Sequence, residues 1–290
     1  MIVQLIPGDP ARVSLGPQAT DELVAQRRIN MGLDRPVLEQ YLSWVTHAVQ
    51  GDLGRSLISG QSVSELVTQR LPTTLQLAGL AIIIGMLIAF PLGIISAMRP
   101  NSLFDVFASI LSQLGIAVPD FWMAILLVLL FSSTLDLLPP SGYVPINVDF
   151  GEWLSHMILP ALTAGLISAS IQTRFIRSAM LEVLSQSYIR TARAKGLSEA
   201  VVIRRHALRN ALITIVTVVG LQVAALLSAV VVIEIVFNLP GLGRLVLESV
   251  LDRDYTQLQG AVFVMAFLVT LVNLGVDMLY FVLDPRIEQA

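Results

Sequence analysis

Five stretches of this chain, roughly 73–98, 104–133, 157–181, 211–236 and 259–283, are each apolar over 20 or more residues, and this limits the fold more tightly than any other feature. A helix of about 20 mostly apolar residues covers the hydrocarbon core of a bilayer. Within lipid, each backbone polar group must be satisfied inside its own helix or inside a closed barrel. None of the five stretches has the alternating pattern of a barrel strand. The sequence therefore predicts an all-α membrane protein, in keeping with 55% apolar and 13% charged residues among 290.

Orientation follows from where the basic residues lie. Arg190, Arg193, Lys195, Arg204, Arg205 and Arg209 fall between the third and fourth stretches, whereas 134–156 contains neither Lys nor Arg. The basic loop, 182–210, is expected in the cytoplasm. Arg174 and Arg177, at the end of the third stretch, agree with that side if they snorkel to the interface, since an arginine at the bilayer centre costs roughly 2.5–3.5 kcal/mol on insertion scales. Arg99 then marks a short cytoplasmic turn and Asp284-Pro285-Arg286 a cytoplasmic tail. Five crossings put residues 1–72 outside. That head is polar and has no export signal, so the expectation is a further helix upstream, of which Met1–Ile6 would be the outer end. The organisation expected is thus 1–72, the end of a first helix plus a small extracytoplasmic helical head, and 73–290, a transmembrane domain. Within the head, 20–31 and 37–49 have helical spacing, with turns at Gly32–Pro36 and Gly51–Gly54.

Several functions find no support. The net charge of −3 without a basic run gives no footprint for nucleic acid. There is no cysteine, and His47, His156 and His206 are far apart, so a thiolate or histidine metal site is not expected. Lys195 is the only lysine and stands in no phosphate-binding Gly-x-x-x-x-Gly-Lys-Ser/Thr motif, so nucleotide binding through such a loop is not expected of this chain.

The most informative stretch is Tyr188-Ile-Arg-Thr-Ala-Arg-Ala-Lys-Gly-Leu-Ser-Glu-Ala200, which is too polar to span. A short helix stopping at Gly196 is predicted, followed by a second short helix N-capped by Ser198 and carrying Ile203, His206 and Leu208. This segment resembles the coupling loop of permease subunits in ATP-binding-cassette (ABC) importers, whose general signature has Glu-Ala-Ala six residues before a glycine. Here Arg190, Thr191 and Ala192 hold those places before Gly196, so the acidic position differs. Arg190-Thr191-Ala192-Arg193-Ala194-Lys195-Gly196, followed by Arg205-His206-Ala207-Leu208-Arg209-Asn210-Ala211, is similar to the variant of the dipeptide and oligopeptide branch. Also in that branch's order are Ile6-Pro-Gly-Asp-Pro10, Gly51-Asp-Leu-Gly54, Leu71-Pro-Thr-Thr-Leu75, Ile158-Leu-Pro-Ala-Leu162, Glu234 with Phe237, Pro240-Gly241-Leu242-Gly243 and Asp284-Pro-Arg286. Ser187 and Thr256 stand where Asp and Pro are usual.

The resemblance implies a type I importer bundle in the bacterial inner membrane, paired with a second permease. Two ATP-binding subunits would dock on the cytoplasmic side, holding the ATP and Mg, and an extracytoplasmic solute-binding protein would deliver a di- or oligopeptide. Nickel, glutathione or another small solute is the alternative cargo. An ion-driven secondary transporter is the rival class, but it predicts an inverted repeat that this sequence lacks. The chain itself would bind no cofactor or metal and catalyse nothing. Asp120, after Pro119 within the second stretch, is a candidate for lining the transport path; its other reading is a cap on amides freed at a proline kink. Glu234, Phe237, Pro240, Gly241 and Gly243 are expected to shape an outer gate, with Glu234 as a structural anchor.

Overall fold

The computed structural model describes residues 10–16 and 18–283. Met1–Ile6 and Asp284-Pro285-Arg286, with most of Ile6–Pro10, lie outside them. The described chain is helical, and its nearest approach to a strand is an isolated bridge between Arg55 and Ser62. In order the helices are α1 (Pro10–Leu15), α2 (Asp21–Asn30), α3 (Val37–Val49), α4 (Val63–Met98), α5 (Leu103–Ala117), α6 (Asp120–Leu127), α7 (Phe150–Leu184), α8 (Ser187–Ala194), α9 (Glu199–Val201), α10 (Leu208–Val236), α11 (Leu242–Leu251) and α12 (Tyr255–Leu283). α6 continues as a π-helical turn, Val128–Thr134, and α9 runs through another, Val202–Ala207, into α10.

Among the described residues, three helices, over Val63–Met98, Phe150–Leu184 and Tyr255–Met278, are long and apolar enough to span, and counting each of two bent pairs as one span brings the number to five. The second apolar stretch is not the single kinked helix expected for 104–133. α5 and α6 meet at 109°. Pro119 has no N–H and forces Val118 into an extended conformation (φ −84°, ψ 124°), which ends α5. The other bend, of 47°, lies between Leu212 and Thr214.

The chain forms two compact units, and the division falls within α4 and α12. One comprises the described residues up to Thr74 together with Pro240–Phe267. Its organising group is Asp254, only 2% exposed, whose Oδ2 accepts from Ser56 Oγ (2.5 Å) and Leu57 N (2.9 Å) and whose Oδ1 accepts from Gln257 N (3.0 Å) at the start of α12. Beside it, Gly54 (φ +90°) leaves no room for a Cβ, which would fall 2.8 Å from Thr256 Cγ2. Trp44 and Phe263 meet edge to face at 5.2 Å. The head expected over 1–72 is thus one body with 240–267.

The second unit, Leu75–Leu239 with the chain from Leu268, is a helical bundle packed through small residues. A Cβ on Gly165 of α7 would lie 3.1 Å from Ala81 O of α4, and one on Gly85 would lie 3.3 Å from Gly165 O. Lipid gives helices little hydrophobic reason to associate, so such close backbone approach supplies the packing. Two sets of contacts fix the ends of this bundle. At one end Gln76 Oε1 accepts from Trp153 Nε1 at 2.9 Å and contacts Tyr143 Oη at 3.5 Å, while Gly142 N donates to Phe237 O at 3.0 Å. At the other, Asp105 joins Ser96 and Arg177. Gln76 and Ser96 lie on one helix, roughly 30 Å apart at 1.5 Å per residue. Although sharply broken, α5–α6 therefore carries the chain from one end of the bundle to the other.

Candidate functional site

The basic loop expected over 182–210 lies at the Ser96 end. α8 buries one face, with Ile189 fully buried and Ala192 7% exposed. These two pack in a cluster with Ala97, Ile176, Ala179, Met180, Val202 and Ile203, so α8 rests on α4, α7 and the start of the next helix. Positions three apart lie on one helical face, which leaves Tyr188, Arg190, Thr191 and Ala194 on the outer surface.

α8 ends in a Schellman arrangement: Gly196 N donates to Arg193 O (2.9 Å), Leu197 N to Ala192 O (3.4 Å), and Gly196 takes φ +80°. Glycine is needed here for its backbone conformation alone, because a Cβ would meet nothing within 4 Å. Ser198 then occupies the N-cap position of α9 without a side-chain capping bond, contrary to the expectation. The second short helix is likewise not separate: from Glu199 the chain stays helical to Val236, bent by 47° between Leu212 and Thr214.

The turn is braced by Arg193, whose Nε and Nη2 donate to Glu199 Oε1 (2.6 Å) and Oε2 (3.3 Å) across Gly196. Arg190 Nη2 reaches Ser185 O at 3.4 Å, and Thr191 Oγ1 donates to Ser187 O at 3.1 Å. Lys195, Arg204 and Arg205 are exposed, and His206 is half-buried. The nine residues expected in the coupling element are thus brought together, but Arg193 is engaged within the element.

Sequence reasoning missed what lies beneath. Asp105, 3% exposed, accepts from Arg177 Nε (2.6 Å) and Nη2 (2.8 Å), from Asn101 N (2.9 Å) and from Ser96 Oγ. Arg177 is therefore not a snorkelling residue; a bidentate ion pair holds it to α5, while Arg174 remains exposed beside Phe175. A signal was available, because Ser102-x-x-Asp105 before an apolar run is a capping-box pattern, and Ser102 Oγ does accept from Asp105 N at 3.2 Å.

Glu234 and Phe237 lie at the opposite end of this unit, both buried. Asn238 takes φ +56°, and Leu239 N donates to Glu234 O at 2.8 Å, closing α10. Pro240, Gly241 and Gly243 belong to the other unit, where Gly241 precedes α11 and Leu242 N donates to Thr74 Oγ1 at 2.8 Å. Asp120 sits between the two ends of the bundle, half-buried at the start of α6. The amides of Trp122 and Met123, freed by the break, go to Pro119 O (both 3.0 Å), so Asp120 does not cap them. Among the described residues no group of three His, Cys, Asp or Glu could hold a metal ion.

Residues 89–289 match the family described as "Binding-protein-dependent transport system inner membrane component", and residues 1–78 match its N-terminal companion. The chain is 42% identical over 288 residues to the glutathione transport system permease protein GsiC of Salmonella typhimurium, covering 99% of this chain and 92% of that one. It is 39% identical over 291 residues to the oligopeptide transport system permease protein AppB of Bacillus subtilis, again covering 99% and 92%. Among solved structures, an inward-facing MetNI methionine ABC transporter chain superposes with a TM-score of 0.63 at 16% identity, over 76% of this chain and 96% of that one, a likeness of fold.

Proposed function

The chain belongs to the inner membrane components of binding-protein-dependent transport systems, and on that premise we propose that it is the peptide-conducting half of an importer driven by ATPase subunits docked on 187–207. The observation that carries this reading is the two-faced element itself. Its apolar face is packed into the bundle and its polar face is exposed, and it is continuous with α10. A partner that moves that face moves a span.

In this reading the Ser96 end is cytoplasmic, in agreement with the cluster of arginines there, and Gln76, Gly142 and Phe237 mark the extracytoplasmic end. ATP and Mg reside in the partner subunits, a second permease completes the pore, and an extracytoplasmic binding protein delivers the solute. Relatives named for oligopeptide and glutathione transport both handle short peptides, which favours that class of cargo. Asp120 would face the path between the two ends.

Gly196→Val tests the docking. A β-branched residue at φ +80° costs about 1–3 kcal/mol of local strain, enough to displace α8, while the apolar spans still insert. The expected result is a subunit present at normal levels in the membrane that neither retains its ATPase nor supports uptake of a labelled tripeptide. Retention of both ATPase binding and uptake would move the coupling elsewhere.

A further inference from the structure

A cavity of about 190 Å³ opens between α6, α7 and α10, lined by Asp120, Ser168, Ile171, Gln222, Ala225 and neighbouring apolar residues. It lies between the two ends of the bundle: along α7, Ser168 is roughly 22 Å from Trp153 and 14 Å from Arg177 at 1.5 Å per residue. We propose that this cavity is a cation-binding subsite on the solute's route, in which Asp120 is the counter-charge for a protonated amine of the peptide. This rests on the permease reading and names the chemistry of its path.

Four observations converge. A carboxylate at membrane depth is costly unless it is paired or faces the route of a polar solute, and no described group pairs with Asp120. Its carboxylate makes no capping bond to the first amides of α6, of which those of Trp122 and Met123 donate to Pro119 O. No arginine, lysine or histidine lines the cavity, so nothing there competes for the carboxylate. Finally, the other polar groups of the lining are uncharged: Gln222, and Ser168, whose Oγ accepts from Gln172 Nε2 at 2.8 Å. A lone carboxylate among uncharged groups suits an ammonium group, and the apolar remainder of the wall suits the carbon atoms beside it.

The chain has no cysteine, so a single thiol reports on the cavity. Ala225→Cys and, separately, Ile167→Cys are placed in the complete transporter in vesicles, each with Asp120 or with Asp120→Asn. Rates of modification by cationic trimethylammonioethyl and anionic sulfonatoethyl methanethiosulfonate are compared. With Asp120 the cationic reagent should be favoured by about tenfold over its preference for a free thiol, the low end of the enrichment that a one-signed cleft produces, and Asp120→Asn should abolish the difference. The same ratio with Asp and with Asn, or no reaction of either reagent at either position, would overturn the subsite. ATP-driven uptake of a labelled tripeptide by the same vesicles separates the two ideas. Failure of uptake with Asp120 present contradicts the permease reading, whereas unchanged uptake and an unchanged charge ratio in Asp120→Asn contradict only the subsite.

Discussion

The segments 187–207 and 240–257 are both short, polar pieces placed between long apolar helices, yet they treat their polar groups in opposite ways. In the second, Ser249 and Asp254 turn inward and find partners, while Asp252 and Arg253 are exposed and the buried Tyr255 Oη has no partner. Asp254 gathers Ser56, Leu57 and Gln257, Ser249 Oγ donates to Leu245 O at 2.6 Å, and Leu242 N reaches Thr74. In the first, the inward positions are Ile189, Ala192, Val202 and Ile203, and the charges turn outward. A buried polar group that is fully satisfied holds a shape. An apolar underside with a polar, exposed upper face leaves that upper face available to a partner.

This contrast can be broken from either side. Asp254→Ala should have the largest effect on stability, because it removes a 2%-exposed acceptor shared by four donors, Ser56 Oγ and the amides of Leu57, Ile58 and Gln257, at a cost of about 3 kcal/mol. The measurable outcome is faster proteolysis within 50–62, with membrane insertion unchanged. Equal protease resistance would mean that Asp254 does not organise this unit.

Arg193→Ala should have a much smaller effect. The Arg193–Glu199 pair is bidentate but its side chains are 43% and 60% exposed, and exposed ion pairs contribute no more than about 1 kcal/mol. Thermal unfolding of the purified subunit should barely change. A fall in stability comparable with that of Asp254→Ala would show that the outer face of 187–207 also serves the fold, and the contrast between the two segments would disappear.

Much of this architecture was legible because lipid makes simple demands. Apolar length marked the three long helices and the two bent pairs, the arginine cluster marked the polar segment 187–207, and the glycine that ends α8 was readable at Gly196 from helix-stop chemistry alone. What escaped depended on tertiary distance. Asp105 and Arg177 are 72 positions apart and Ser56 and Asp254 are 198 apart, separations about which no local pattern speaks. Pro119 announced a lost hydrogen bond, but the 109° turn there also reflects how α5 and α6 pack against α7. Ser198 has the right residue type in the right place for a cap, yet its side chain makes no such bond, because residue type gives a preference and not a rotamer. Asp120 was recognisable as unusual, but that its carboxylate makes no capping bond and borders a cavity depended on the geometry of the break at Pro119.

The central claim, that the outer face of α8 receives an ATPase, is tested most directly by comparing adjacent positions on that helix. Thr191→Cys, on the exposed face, and Ala192→Cys, on the buried one, are treated with an impermeant maleimide in inside-out vesicles, with and without the ATPase subunits. The account predicts that Thr191→Cys labels rapidly and loses most of that labelling when the ATPase is bound, while Ala192→Cys labels slowly in both cases. Labelling of Thr191→Cys that is indifferent to the ATPase, or that occurs from the outside of intact cells, would contradict it.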